Sequence, residues 1–335
     1  MEELLQAMRA IAEPTRIRIL ALCAHSELTV SEIVQILGQS QPRVSRHLRL
    51  MVEAGVLQRY QEGTWAWYRL VSRSALVTGK ARYSDRVASL AEELIDLIPD
   101  DDPVVSRDLE RLDNVRRERE RQAAEFFASN AEDWDRLRAL HVDEAEVDAA
   151  VLKAFGDRAI NRLLDIGTGT GTVLALLGRN AGSAIGVDLS PQMLSLARTL
   201  IDREKLTHCQ VRQADMYQLP FDAASFDAAS LHMVLHYAED PVAVLREAAR
   251  VLAPNGRLVV VDFAPHNVEE LRARHAHRWP GIDDKLMQDW FLEAGLEGEP
   301  VEKLEGGALT VCLWKAVRPE QAENNHPASV IAGNT

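Results

Sequence analysis

LLDIGTGTGTVLALL, residues 163–177, is the stretch whose reading decides the fold. Its first four residues suit the end of a strand, Gly167, Gly169 and Gly171 make a tight turn, and an apolar helical run follows at once. Glycine lets a backbone take positive φ and approach a ligand closely, while the free N–H groups of a new helix attract an anionic group.

The spacing is GxGxG. A dinucleotide turn, GxGxxG, needs a glycine at 172, where Thr172 stands. Asp165, two residues before Gly167, would repel a diphosphate and suits an ammonium or sulfonium group. Asp188, in IGVDLS about twenty residues beyond the turn, is a second strand-end acid that can hold both hydroxyls of a ribose. A nucleoside with a cationic, carboxylate-bearing tail meets these demands, and S-adenosylmethionine is such a molecule. A glycine-rich turn without a ligand is the alternative, and the two flanking acids count against it.

The 335 residues leave room for two domains, and 47% hydrophobic with 27% charged residues is the composition of an ordinary soluble protein. No apolar run has the length of a membrane span, and MEELLQAMRA begins acidic and helical rather than as a signal peptide, so a cytoplasmic chain with no membrane partner is expected. Cys23, Cys209 and Cys312 lack CxxC spacing, which argues for buried free thiols and against a disulfide framework or a sequence-local metal site. The net charge of -13 is uneven: residues 1–82 hold eleven Lys/Arg against seven Asp/Glu, residues 83–150 nine against twenty, and residues 151–335 eighteen against twenty-four. A basic N-terminal segment on an acidic chain can face nucleic acid while the remainder is repelled by it.

That segment is built of short helices. PTRIRILALCAH opens with Pro14 and sets Ile17, Leu20 and Ala21 on one face. Thr29 or Ser31 caps a helix that runs to Leu37 and is closed by Gly38, and after Gln39 and Ser40 comes the helix QPRVSRHLRLMVEAG. Two helices joined so tightly form a helix-turn-helix. In the second, Val44, Leu48 and Met51 or Val52 share the core face, leaving Gln41, Arg43, Ser45, Arg46, His47 and Arg49 for phosphates and base edges. LQRYQ, the turn EGT and WAWYRL then read as a hairpin, the wing. A solvated basic helix would explain the arginines alone, but not this order of elements.

Residues 10–70 resemble the winged-helix domain of the ArsR/SmtB family of bacterial repressors, in PTRIRIL, ELTVSEI, QSQPRVSRHLRLMVEAGVL and EGTWAWYRL. The resemblance implies a homodimer reading a palindromic double-stranded DNA operator. Thr29 and Ser31 occupy the positions where metal-sensing members carry thiols, and His25, His47 and Cys23 do not replace them, so no metal is expected.

Four units follow: a winged helix over 1–82, a helical connector over 83–122, a second domain over 123–318 and a disordered tail over 319–335. In the connector, VASLAEELIDLI is amphipathic and placed to complete a dimer interface, PDDDP at 99–103 breaks the helix, and RRERERQ reads as a solvated surface. FFASNAEDWDRLRALHVDEAEV resembles the helical segment that covers the cofactor in small-molecule methyltransferases, although core packing is the favoured reading of Phe126, Phe127 and Trp134.

From Leu163 strands and helices alternate, which argues for a parallel sheet flanked by helices. The order resembles class I S-adenosylmethionine-dependent methyltransferases, a Rossmann-like α/β fold with a seven-stranded sheet, so the fold class is multidomain: a winged helix-turn-helix followed by that domain. The resemblance implies Asp165, Gly167, Gly169 and Gly171 beside the methionine portion of S-adenosylmethionine or S-adenosylhomocysteine, Asp188 on the ribose, and Met193, Asp215 and Met216 around the adenine.

Methyl transfer is a displacement at an activated carbon, needing a base only if the acceptor loses a proton. His232 and His236 after the fourth strand, and Asp262 and His266 after the fifth, lie at the ligand-facing ends of the sheet and are the catalytic candidates; each is also readable as an ordinary polar residue. SLHMVLHY carries neither the Asn/Asp-Pro-Pro-aromatic nor the Pro-Cys pattern of nucleic-acid methyltransferases. HAHRWPGID, residues 275–283, could line the acceptor side, but His275 and His277 do not share a helix face as metal ligands would. Two functions stand. One is a repressor whose methyltransferase-type domain senses S-adenosylmethionine or S-adenosylhomocysteine, resembling regulators of the methionine cycle; the other is an active small-molecule methyltransferase with an autoregulatory DNA-binding domain.

Overall fold

The computed structural model describes residues 1–62, 65–71, 85–99, 101–129, 143–266, 279, 281–305 and 309–320, without the side chains of residues 62, 85, 120 and 122–129. Phe126, Phe127, Trp134, His275, His277, Arg278 and the tail beyond 320 therefore lie outside the described side chains.

The N-terminal domain comprises α1 (Glu2–Ile11), α2 (Pro14–His25), β1 (Leu28–Thr29), α3 (Val30–Leu37), α4 (Gln41–Glu53), β2 (Leu57–Glu62) and β3 (Trp65–Leu70). Thr29 starts α3 through a capping box: its hydroxyl accepts from the Glu32 N–H while the Glu32 carboxylate accepts from the Thr29 N–H at 2.8 Å. Gly38, at φ +64°, ends the helix in the left-handed conformation that admits glycine most easily. Val44, Leu48 and Met51 of α4 are fully buried against Ile19, Leu20 and Ile36. Of the three residues read on one face of α2, Leu20 and Ala21 are buried, together with Ile19 and Leu22, while Ile17 is 37% exposed. The strands pair in the order β1-β3-β2, with β2 and β3 forming the wing.

Two further helices, α5 (Asp85–Asp96) and α6 (Pro103–Ser129), extend this core rather than stand apart from it. They contribute Val87 and Ala91, and Leu112 and Val115, to the same cluster, and Arg18 of α2 forks onto Asp108 of α6 at 2.5 and 2.8 Å.

The second domain contains α7 (Glu144–Phe155), β4 (Ile160–Ile166), α8 (Thr172–Gly178), β5 (Ala181–Asp188), α9 (Pro191–Arg203), β6 (Cys209–Gln213), β7 (Phe226–His232), α10 (Pro241–Val251), β8 (Leu252–Phe263), α11 (Asp284–Glu293), β9 (Glu297–Gly298), β10 (Glu302–Glu305) and β11 (Thr310–Val317). Its sheet runs β10-β11-β8-β7-β4-β5-β6, parallel from β8 to β6 and antiparallel at β11 and β10. The expected seven strands become eight, because β9 pairs with the end of β11, Ala316 opposite Gly298 and Val317 opposite Glu297. The reason is length: β10 covers only Thr310–Leu313 of the eight-residue β11, and the chain leaving α11 satisfies backbone groups at its far end. Both faces of the sheet are buried, Leu164, Leu231 and Val260 on one and Leu163, Val211 and Val261 on the other, as parallel strands covered by helices require. No described helix is long and apolar enough to cross a membrane.

Candidate cofactor pocket and nucleic-acid interface

The glycine turn lies where β4 enters α8. Gly167, Gly169 and Gly171 all have positive φ, at 72°, 54° and 82°. The first and last are also required by packing: a Cβ on Gly167 would lie 2.4 Å from Val234 Cγ2, and one on Gly171 2.8 Å from Ala197 Cβ of α9. Gly169 differs, since a Cβ there would meet nothing within 4 Å; it faces open space beside the turn.

Asp165 lies beneath this turn, 1% exposed, and accepts from the Thr168 hydroxyl at 2.6 Å and the Ser230 hydroxyl at 2.7 Å. Burial raises its carboxyl above the ordinary range, although the two hydroxyls pull it back. Held by these two hydroxyls, Asp165 braces the turn from below. Asp188, at the end of β5, is half-buried and accepts from the N–H groups of Gly169 at 2.9 Å and Ser190 at 2.8 Å. A carboxylate has roughly four lone-pair sites, so two backbone donors leave capacity for ribose hydroxyls.

Around Asp188 the chain is tied together. Ala214 N–H donates to Asp188 O at 3.1 Å, and Gln213 Nε2 to Leu189 O at 2.9 Å, so the ends of β5 and β6 form one rim. Met193 is half-buried in the first turn of α9, whose cap is the Ser190 hydroxyl accepting from the Met193 N–H. Asp215 is exposed, with its carboxylate accepting from the Tyr217 N–H, and Met216 packs on the sheet core. Leu189, which the sequence reading missed, is 67% exposed between Asp188 and Ser190. Its signal was a large apolar side chain directly after a strand-end acid. Open space at Gly169, lone pairs on Asp188 and apolar Leu189 and Met193 fit S-adenosylmethionine or S-adenosylhomocysteine.

The catalytic candidates converge beside this pocket. Val234 contacts the glycine turn, and the next residues, Leu235–Tyr237, form a single 3-10 turn carrying His236. His236 Nδ1 lies 2.7 Å from Asp262 Oδ1, the Asp262 carboxylate also accepts from the His236 N–H, and the two side chains are 2% and 0% exposed. A carboxylate at Nδ1 holds the proton there and leaves Nε2 as the basic nitrogen. The rings of Tyr237 and Phe263 flank His236, and Trp279 donates to the carbonyls of His236 and Ala238. His266 is close enough to respond to the pair; burial first, then His236, lowers its pKa. His232 is half-buried at the end of β7.

On the other domain, Gln41, Arg43, Ser45, Arg46 and Arg49 of α4 are exposed, as a helix entering a major groove requires. His47 is turned inward instead, with its ring 12% exposed and Nδ1 3.8 Å from the Glu13 carboxylate, and burial lowers its pKa. Among the six residues expected on DNA, it is the one the fold draws away.

An Asp188→Ala substitution is expected to weaken S-adenosylhomocysteine binding by about 1.5–3 kcal/mol, the worth of a charged hydrogen-bond partner. Isothermal titration calorimetry measures it, and wild-type affinity would move the ribose elsewhere.

Residues 13–59 match the family model described as bacterial regulatory protein, arsR family, and residues 164–260 the model described as methyltransferase domain. The chain is 35% identical over 201 residues to a demethylmenaquinone methyltransferase of Clavibacter sepedonicus, covering 51% of this chain and 78% of that protein. It is 30% identical over 188 residues to a malonyl-[acyl-carrier protein] O-methyltransferase of Halorhodospira halophila, covering 52% of this chain and 62% of that one. Against a demethylmenaquinone methyltransferase of Tropheryma whipplei, at 33% identity over 42% of this chain, it spans 58% of the relative's length. The YcgJ protein of Bacillus subtilis superposes with a TM-score of 0.48 at 19% identity, over 53% of this chain and all of that one.

Proposed function

We propose that this chain, which belongs to the class I S-adenosylmethionine-dependent methyltransferases and carries an ArsR-family winged helix, is a transcriptional regulator of methionine-cycle genes whose operator affinity is set by bound S-adenosylmethionine or S-adenosylhomocysteine. One observation carries this reading. Helix α9 begins at the nucleoside rim, where Ser190 donates its N–H to Asp188, and at its other end reaches the DNA-binding domain, where Asp202 accepts from Ser26 at 2.9 Å. A ligand at Asp188 thus acts on an element that spans both domains. Two copies reading a palindrome would place two recognition helices in successive major grooves.

The ligand shifts the equilibrium only by its difference in affinity for the DNA-competent and DNA-free forms. Operator binding, measured at fixed salt with and without each ligand, is therefore expected to change by about 5- to 150-fold with at least one of them. No change with either sinks the regulator reading.

The His236–Asp262 pair supports a second reading, an active methyltransferase on a small molecule that loses a proton, with His236 as base and Asp262 orienting it. Bound S-adenosylmethionine supplies the activated methyl group. Radiolabelled methyl transfer into a small-molecule extract tests this reading, and His236→Asn should lower the rate by about 10²–10⁴-fold without loss of cofactor affinity. No transfer across a broad extract, with cofactor binding intact, overturns it.

A further inference from the structure

The two domains meet across a seam of charged and aromatic side chains whose centre is Glu27, in the loop between α2 and β1. Its carboxylate accepts from Arg69 of β3 at 3.2 Å, from Arg198 of α9 at 3.2 Å and from Arg212 of β6 at 2.9 Å. Arg212 also stacks on Tyr60 of β2, 3.5 Å from the ring centre, and Arg198 on Trp67 of β3 at 3.7 Å. One face of the wing, carrying Tyr68 and Leu70, packs in the N-terminal core; its other face, carrying Trp67 and Arg69, is buried as well and turns to the methyltransferase domain.

The residues that grip the wing come from the elements that form the nucleoside rim. Arg212 precedes Gln213, which donates to Leu189 O, and Arg198 lies on the helix whose cap residue is held by Asp188. On the DNA side, Glu27 stands two residues before Thr29, which caps α3. Arg119 of α6 joins the pieces, donating to Glu32 of that capping box at 2.9 Å, to the Glu27 carbonyl at 2.9 Å and to Asp202 of α9 at 3.0 Å.

We infer that this Glu27-centred seam is the element through which nucleoside occupancy reaches the wing and the first helix of the helix-turn-helix. The inference rests on the regulator reading and specifies its route. A seam of this composition suits the task, because Arg198 touches both Glu27 and Trp67, so a movement of α9 is felt at the loop before α3 and at the wing together. A ribose on the remaining lone pairs of Asp188 loads the carboxylate that also holds the start of α9 through Ser190, and Arg198 on that helix passes the change to Glu27. The wing then moves with α9 and β6 instead of with its own domain alone.

The test uses the full chain, a DNA duplex selected by that chain from a random pool, and S-adenosylhomocysteine as probe. The quantity read is the ratio of DNA dissociation constants with and without the probe, together with the probe's own affinity in the absence of DNA. In the wild type the ratio is expected near tenfold, within the span usual for coupled sites. Arg212→Ala is expected to bring it close to one while probe affinity stays within about twofold, since Arg212 lies outside the pocket. Tyr60→Leu removes the stack from the opposite side and should lower the ratio likewise; Arg212→Lys keeps the charge, loses the planar fork and should retain part of it. A wild-type ratio preserved in folded Arg212→Ala and Tyr60→Leu overturns the inference and leaves the regulator reading standing. A ratio of one in the wild type removes both. If Arg212→Ala does not fold, Tyr60→Leu and Arg212→Lys decide by the same criterion.

Discussion

Glu27→Gln is expected to lower the unfolding free energy of the chain by about 3 kcal/mol at pH 7 and to leave it nearly unchanged at pH 2. The carboxylate is only 12% exposed, so burial by itself would raise its pKa; Arg212, Arg198 and Arg69 overcome that and hold it down at about 2, against an ordinary value of 4.5. A carboxyl depressed in the folded state contributes stability that is complete above the unfolded value and is lost as pH falls through the folded one. The window therefore runs from about pH 4.5 down to about pH 2. Above it, the variant leaves three guanidinium groups around a neutral amide, and breaking an enclosed pair in this way commonly costs about 3–5 kcal/mol. Urea unfolding of both proteins across pH gives the difference curve. Asp202, Arg119 and the three arginines are common to both proteins, so the difference isolates Glu27. A difference that stays constant from pH 7 to pH 2 would show that packing, not charge, holds Glu27 in place.

Replacing Arg43 and Arg46 together by Ala is expected to weaken operator binding by about 2–6 kcal/mol, from about 1–3 kcal/mol for each contact to a base edge or phosphate. Both side chains are exposed on α4, one turn apart, while Val44 and Leu48 of the same helix are fully buried, so truncation should leave the domain folded. The salt dependence separates the two kinds of contact. If both arginines bind phosphates, the slope of log K against log salt falls by about 1.8; if they read bases, affinity falls mainly for the selected sequence. Fluorescence anisotropy over a salt series, with selected and scrambled duplexes, reads both. Unchanged affinity and slope would mean that α4 does not enter the groove. The same change at His47 should matter less for DNA, because its ring is turned toward Glu13.

Much of the architecture could be read locally. The cap of α3, narrowed to Thr29 or Ser31 and made by Thr29, the stop at Gly38, the core face of Val44 and Leu48 and the strand over Phe226–His232 all follow from short-range chemistry, in which a residue's neighbours along the chain supply its partners. Period alone misplaced Ile17, because an apolar side chain on the right turn of a helix is buried only where another element covers it. The eighth strand escaped notice for a related reason: Glu297–Gly298 is a two-residue extension defined by the free end of β11, with no pattern of its own.

What the sequence by itself determined is the identity of the parts: a winged helix, a glycine turn with positive φ at three positions, and a strand-end acid at Asp188, each encoded by residues close together in the chain. Only the tertiary structure decided how they act on one another. It paired His236 with Asp262 across 26 positions, buried Asp165 beneath the turn, drew His47 inward and gathered Glu27, Arg198 and Arg212 into one seam. A charged side chain read in sequence declares its chemistry but not its partner, and long-range partners are chosen when separately formed helices and strands pack and their remaining charges must be matched or desolvated unpaired.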